Sequence, residues 1–152
     1  MSVRVADRNV GKLQLLVDAR HLAKYSLNKL KNEKIFFPEE SKKKEEKPAF
    51  PQYRHSALVD RLEEASLGIY LDINKANEVR VNSSRNLYQK RRELQLSALD
   101  RTVDMWALIQ LAGEVYHISG KTIHYWGTLL EKVQEPLKAW ISSDKERYRE
   151  LS

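Results

Sequence analysis

The chain has 152 residues, no cysteine, 32% charged residues and a formal net charge of +6. One domain with a substantial core fits that length, and the missing thiols exclude a disulfide framework and thiolate chemistry. No apolar run approaches the roughly 20 residues of a membrane span, and the opening MSVRVADRNVGK lacks a signal peptide's apolar stretch, so a cytoplasmic protein without a membrane partner is expected.

Five glycines and four prolines, three of them (Pro38, Pro48 and Pro51) in one segment, leave room for long helices. The first predicted helix covers about residues 10–32, with a main apolar stripe of Leu13, Leu16, Ala23, Leu27 and Leu30 interrupted by Arg20. A weaker stripe of Leu15, Ala19, Leu22 and Ser26 lies beside it. Residues 33–55 read as a charged loop, whose 41–47 portion, SKKKEEK, has no apolar residue and behaves as a solvated excursion.

The second helix is predicted over 56–81, its inner stripe Leu58, Leu62, Ala65, Ile69, Ile73 and Ala76. Asn82, Ser83 and Ser84 supply a turn and a cap. A third helix over 85–118 carries Leu87, Leu94, Ala98, Met105, Ile109, Ala112 and Tyr116 inward. It also has a second stripe of Leu96, Leu99, Val103, Trp106 and Gly113. In a monomeric bundle each helix needs one buried stripe, so this second one is either a contact between copies or the mark of an especially buried helix.

The fourth helix, over 120–143, places Ile123, Trp126, Leu130, Val133, Leu137 and Trp140 on one stripe, with Ser119 as its N-cap. His124, Glu131 and Glu135 face the other way, and Pro136 is expected to bend the helix one turn back. Four such helices with short turns predict an all-α, antiparallel up-down-up-down bundle forming one domain over residues 1–152.

That topology gathers residues 1–12, 78–93 and 144–152 at one end, where eleven basic side chains meet six acidic ones. Within it, residues 79–92 form a long acid-free basic run holding Arg80, Arg85, Lys90, Arg91 and Arg92, the candidate contacts for a phosphate backbone or an acidic protein surface. A solvated helix start accounts for the same run in a single copy, whereas repetition around a ring would build a strong field.

Motifs for chemistry are missing. The chain has no Gly-rich phosphate loop and no G-x-S-x-G, and none of its four histidines stands four residues from another. No catalytic residue, metal site or cofactor is therefore expected, and a binding protein is preferred to an enzyme.

Several segments together resemble a known family. VGKL at 10–13, LAKYSL at 22–27 and NEKIF at 32–36 are similar to its first helix and following turn; residues 65–70 and INKAN at 73–77 are similar to its second. The end, YW at 125–126, KAWI at 138–141 and SDKERY at 143–148, is the nearest match. The family is Avd, the accessory variability determinant of diversity-generating retroelements, itself similar to the proteins of 23S rRNA intervening sequences. The resemblance implies a barrel-shaped homopentamer without activity of its own. It further implies binding to the retroelement's reverse transcriptase and template RNA or cDNA in support of adenine-mutagenic synthesis. The alternative is an intervening-sequence protein with an RNA-associated or structural role. Relative to that family, residues 41–47 look inserted and Pro136 is unusual.

Overall fold

The structure, a computed structural model, describes residues 5–31 and 57–152, with side chains from residue 13 onward in the first of these spans. Among the described residues it is all-helical: α1 (Val5–Leu30), α2 (Ala57–Glu78), α3 (Arg85–Val115) and α4 (Gly120–Arg147), followed by a short 3-10 turn at Arg149–Leu151. The expected charged loop and its 41–47 excursion lie outside the described residues.

The helix ends follow local chemistry. Ser84 is extended and its Oγ accepts the Leu87 N–H at 3.2 Å, which starts α3. Ser119 does the same for α4, accepting Thr122 N–H at 3.2 Å. Helix α3 stops at Val115 because His117 turns left-handed (φ 53°), and the Ile118 N–H then returns to the Gly113 carbonyl at 3.1 Å. Asn82, also left-handed at φ 49°, makes the turn between α2 and α3. Helix α4 continues through Pro136 and ends four residues beyond the predicted 143.

Each helix packs against two others, α1 on α2, α2 on α3, α3 on α4 and α4 on α1. The core comprises Leu15, Leu22, Leu62, Ile69, Ile73, Met105, Ile109, Trp126, Val133 and Leu137 with smaller residues between them. Fully burying each large side chain contributes about 1.5–3 kcal/mol. On α2 and α4 the expected stripes are the buried ones, with Leu58 and Ile123 half-buried at their edges.

On α1 the expectation holds in part: Ala23 and Leu30 of the predicted main stripe are buried, and the weaker stripe supplies the rest of the buried face. The buried face is Leu15, Ala19, Leu22, Ala23, Ser26 and Leu30, whereas Leu13 is exposed and Leu16 and Leu27 only half-buried. Ser26 lies where α4 comes close, and the Trp126 indole donates from Nε1 to Ser26 Oγ at 2.8 Å. Helix α2 is tied to α3 by Asp72, which accepts from Ser97 Oγ at 2.7 Å and from Arg101 Nε at 3.2 Å. Along α3 and α4 the partners come in reverse order. Gln95 reaches Asp144, Thr102 reaches Gln134, and Gly113 abuts Ile123.

Candidate interaction surface

Of the predicted contact residues Arg80 lies in the α2–α3 turn and Arg85, Lys90, Arg91 and Arg92 lie at the start of α3, and a buried polar node fixes the position of both. Asp144, on the last turns of α4, is 1% exposed and Arg91 of α3 is 4% exposed. The Arg91 guanidinium donates to both carboxylate oxygens, from Nε at 2.7 Å and from Nη2 at 2.8 Å. Gln95 Nε2 donates to the same carboxylate at 2.8 Å, and Arg147 stands 4.0 Å away on the next turn. Arg91 Nη1 also reaches the Val79 carbonyl at 3.4 Å, which binds the end of α2 to the node. The guanidinium carbon lies 4.9 Å from the Trp140 ring centroid and 5.8 Å from that of Tyr148.

Arg91 is therefore a structural residue. Its charge is paired with Asp144 and its side chain screened from solvent, so the fold does not present it to a phosphate, unlike the exposed contact expected from the sequence. Arg80, Arg85 and Lys90 are exposed and Arg92 half-buried. None of these four has an ion-pair partner among the described residues. Arg85 Nε caps the Leu151 carbonyl at 3.1 Å, and Arg92 Nη1 stands 3.4 Å from the Tyr88 hydroxyl. At 100° per residue Lys90 and Arg92 point to opposite flanks of α3, so the run is two-sided and not one patch.

Arg85 and Arg92 share their flank with the second apolar stripe. Leu96 and Trp106 are exposed, Val103 is 56% exposed and Leu99 is half-buried, so this stripe is not consumed by the protomer's own core. Its α4 border is a groove lined by Val103, Trp106, His124, Glu131, Gln134 and Glu135. Gly127 makes the groove possible, since a Cβ there would stand 2.7 Å from Trp106 Cζ3. One stripe of α3 thus runs from cations at its start to an apolar, acid-bordered groove near its middle.

The sequence reading missed Tyr88, Arg91, Gln95, Thr102 and Asp144 as interior residues. A signal existed. Arg91, Gln95 and Thr102 fall in register with Ala98, Met105 and Ile109, and Asp144 extends the stripe of Val133, Leu137 and Trp140. Polar residues on an apolar stripe mark a buried network. Glu114 and His117 have the Glu-x-x-His spacing, but both are exposed, and no group of three potential metal ligands occurs among the described residues. No helix there is long and apolar enough to cross a membrane. Comparison with protein-family models, with curated proteins and with solved structures finds no match to the chain.

Proposed function

We propose that the chain is a non-enzymatic accessory protein of a diversity-generating retroelement. In this reading it docks the reverse transcriptase and its template RNA or cDNA through cationic surfaces and supports mutagenic cDNA synthesis. The resemblance of the segments quoted above motivates the identity. The observation that carries the binding role is the set Arg80, Arg85, Lys90 and Arg92, presented without carboxylate partners among the described residues at the α2–α3 turn and the start of α3, which the Arg91–Asp144 node ties together. Such cations on a fixed scaffold attract a phosphate backbone by charge and counterion release.

The protomer in this reading is an antiparallel up-down-up-down bundle, which the reversed order of partners along α3 and α4 supports. Copies associate through Leu96, Leu99, Val103 and Trp106, the apolar stripe left uncovered, into the ring or homopentamer that the resemblance implies.

Glutamine at Arg80, Arg85, Lys90 and Arg92 together, with Arg91 retained, is expected to leave the helical circular dichroism unchanged. Affinity for labelled RNA should fall, and the slope of log affinity against log salt should shrink by about 3, near 0.7–0.9 per lost phosphate contact. An unchanged slope moves the contact region elsewhere; no RNA binding at any salt removes the nucleic-acid role. For the self-contact, Val103→Asp with Trp106→Ser should reduce the mass seen by light scattering on a sizing column. A wild-type protein of monomer mass defeats the assembly.

A further inference from the structure

The folding of the chain joins two sequence stretches that lack carboxylates. Residues 19–31, on α1, hold Arg20, His21, Lys24, Lys29 and Lys31; residues 115–130, from the end of α3 into α4, hold His117, Lys121 and His124. Neither was singled out by the sequence reading, because each alone is short and mildly basic. In the fold they meet along the α1–α4 seam. The Tyr25 and Tyr125 rings are 4.9 Å apart and tilted 69°, and Ser26 holds the Trp126 indole from below. Among the described residues, the acids of the groove that continues the seam are Asp18, Glu131 and Glu135.

The seam presents an aromatic face between cations. Tyr125 is 43% exposed, and its edge-on contact with Tyr25 fixes its ring while leaving surface to solvent. Lys29 Nζ lies 5.4 Å from the Tyr25 ring centroid, one turn along α1. Lys121 is exposed one turn before Tyr125 on α4. Gln14 and Asp18 flank the same groove as Thr128, Lys132 and Pro136, so the two helices pair in reverse order. That reversal puts both lysines on the same side of the tyrosine pair. Lys24, Lys29 and Lys121 have no ion-pair partner among the described residues, whereas Arg20 turns to the other flank of α1, over Tyr70 of α2. Burial, and secondarily the neighbouring Tyr125, push the Tyr25 phenol above its ordinary pKa, so the Tyr25 ring stays neutral at physiological pH.

We propose that the α1–α4 seam binds single-stranded nucleic acid, stacking a base on Tyr125 while Lys29 and Lys121 hold neighbouring phosphates. The proposal rests on the nucleic-acid reading above but assigns a different surface, remote from the α2–α3 turn. Stacking on an aromatic side chain is sequence-tolerant and requires an unstacked base. A duplex buries its base faces against one another and offers none, and an acidic protein would engage the lysines without needing the tyrosine.

The test is fluorescence anisotropy with labelled oligouridine of about 12 nucleotides, within the range of a single-strand site, and a matched duplex. Tyr125→Leu should weaken oligouridine binding about tenfold while leaving duplex binding and the salt slope unchanged. Tyr125→Phe should bind as wild type. Lys29→Gln with Lys121→Gln should reduce the single-strand salt slope by about 1.4. Unchanged oligouridine affinity in folded Tyr125→Leu overturns the proposal, as does an equal loss on duplex, a loss in Tyr125→Phe, or an unchanged slope in the lysine pair. Polyglutamate competing as well as oligouridine also overturns it. Wild-type protein that binds neither probe sinks this proposal and the preceding reading together. Binding that falls only with the Arg80, Arg85, Lys90 and Arg92 substitutions sinks this one alone.

Discussion

Asp144→Ala is expected to lower folding stability by about 3–5 kcal/mol, the cost of removing one partner of a buried ion pair. The alanine would leave the Arg91 guanidinium buried with its Nε and Nη2 donors unmatched and Gln95 Nε2 without its acceptor. The remaining contacts of Arg91 are the Val79 carbonyl at 3.4 Å and the faces of Trp140 and Tyr148. A cation over an aromatic ring contributes about 0.5–2 kcal/mol, too little to replace a carboxylate. Urea unfolding followed by circular dichroism measures the loss, and a decrease below about 1 kcal/mol would show that water reaches the node in solution. The apolar triple replacement Arg91→Met, Asp144→Leu and Gln95→Leu should recover most of the stability, because desolvation of both charges and of the stranded amide is then avoided. It should not recover the geometry of the turn, since Val79 loses the donor that ties it to α3 and α4. In the proposed function Arg80 stands beside that anchor, so RNA affinity should stay reduced where stability returns.

The same node shows which part of the molecule the sequence discloses. Helix existence, the caps Ser84 and Ser119, and the buried faces of α2 and α4 follow from apolar spacing and local hydrogen bonding, which are properties of short segments. The face of α1 does not. Its leucines at 13, 16 and 27 belong to the stronger apolar pattern, yet packing turns the stripe with Ala19, Leu22 and Ser26 inward, where Ser26 accepts the Trp126 indole. Arg91 illustrates the same limit for charge. In the sequence it is one of three consecutive cations, and its burial is settled by Asp144, 53 residues away. The α1–α4 seam adds a third case, since two unremarkable acid-free stretches become one surface only when Tyr25 meets Tyr125. The exposure of cations such as Arg80, Arg85 and Lys90 was legible in the sequence, and the burial of Arg91, which a distant partner decides, was not.

Trp126→Ala should cost about 3–5 kcal/mol, the range for deleting a buried tryptophan whose surroundings relax only in part. Trp126 is 1% exposed, sits where α1 and α4 approach, and is edge-on to Tyr25 at 6.2 Å between centroids. Two milder variants separate its contributions. Ser26→Ala keeps the ring but leaves the buried indole N–H without its 2.8 Å acceptor, an expected loss of about 1–3 kcal/mol. Trp126→Phe removes that donor together with part of the ring, so adding Ser26→Ala to it should cost little more, and thermal or urea unfolding of the four proteins gives the coupling directly. Strictly additive losses would mean that the hydroxyl and the indole do not act on each other. Because Tyr25 and Tyr125 are the immediate neighbours of Ser26 and Trp126, a loosened seam should also release the tyrosine pair. Ser26→Ala is then expected to weaken oligouridine binding while leaving the salt dependence contributed by Arg80, Arg85, Lys90 and Arg92 intact, since those cations depend on Arg91 and Asp144 at the other end of α4.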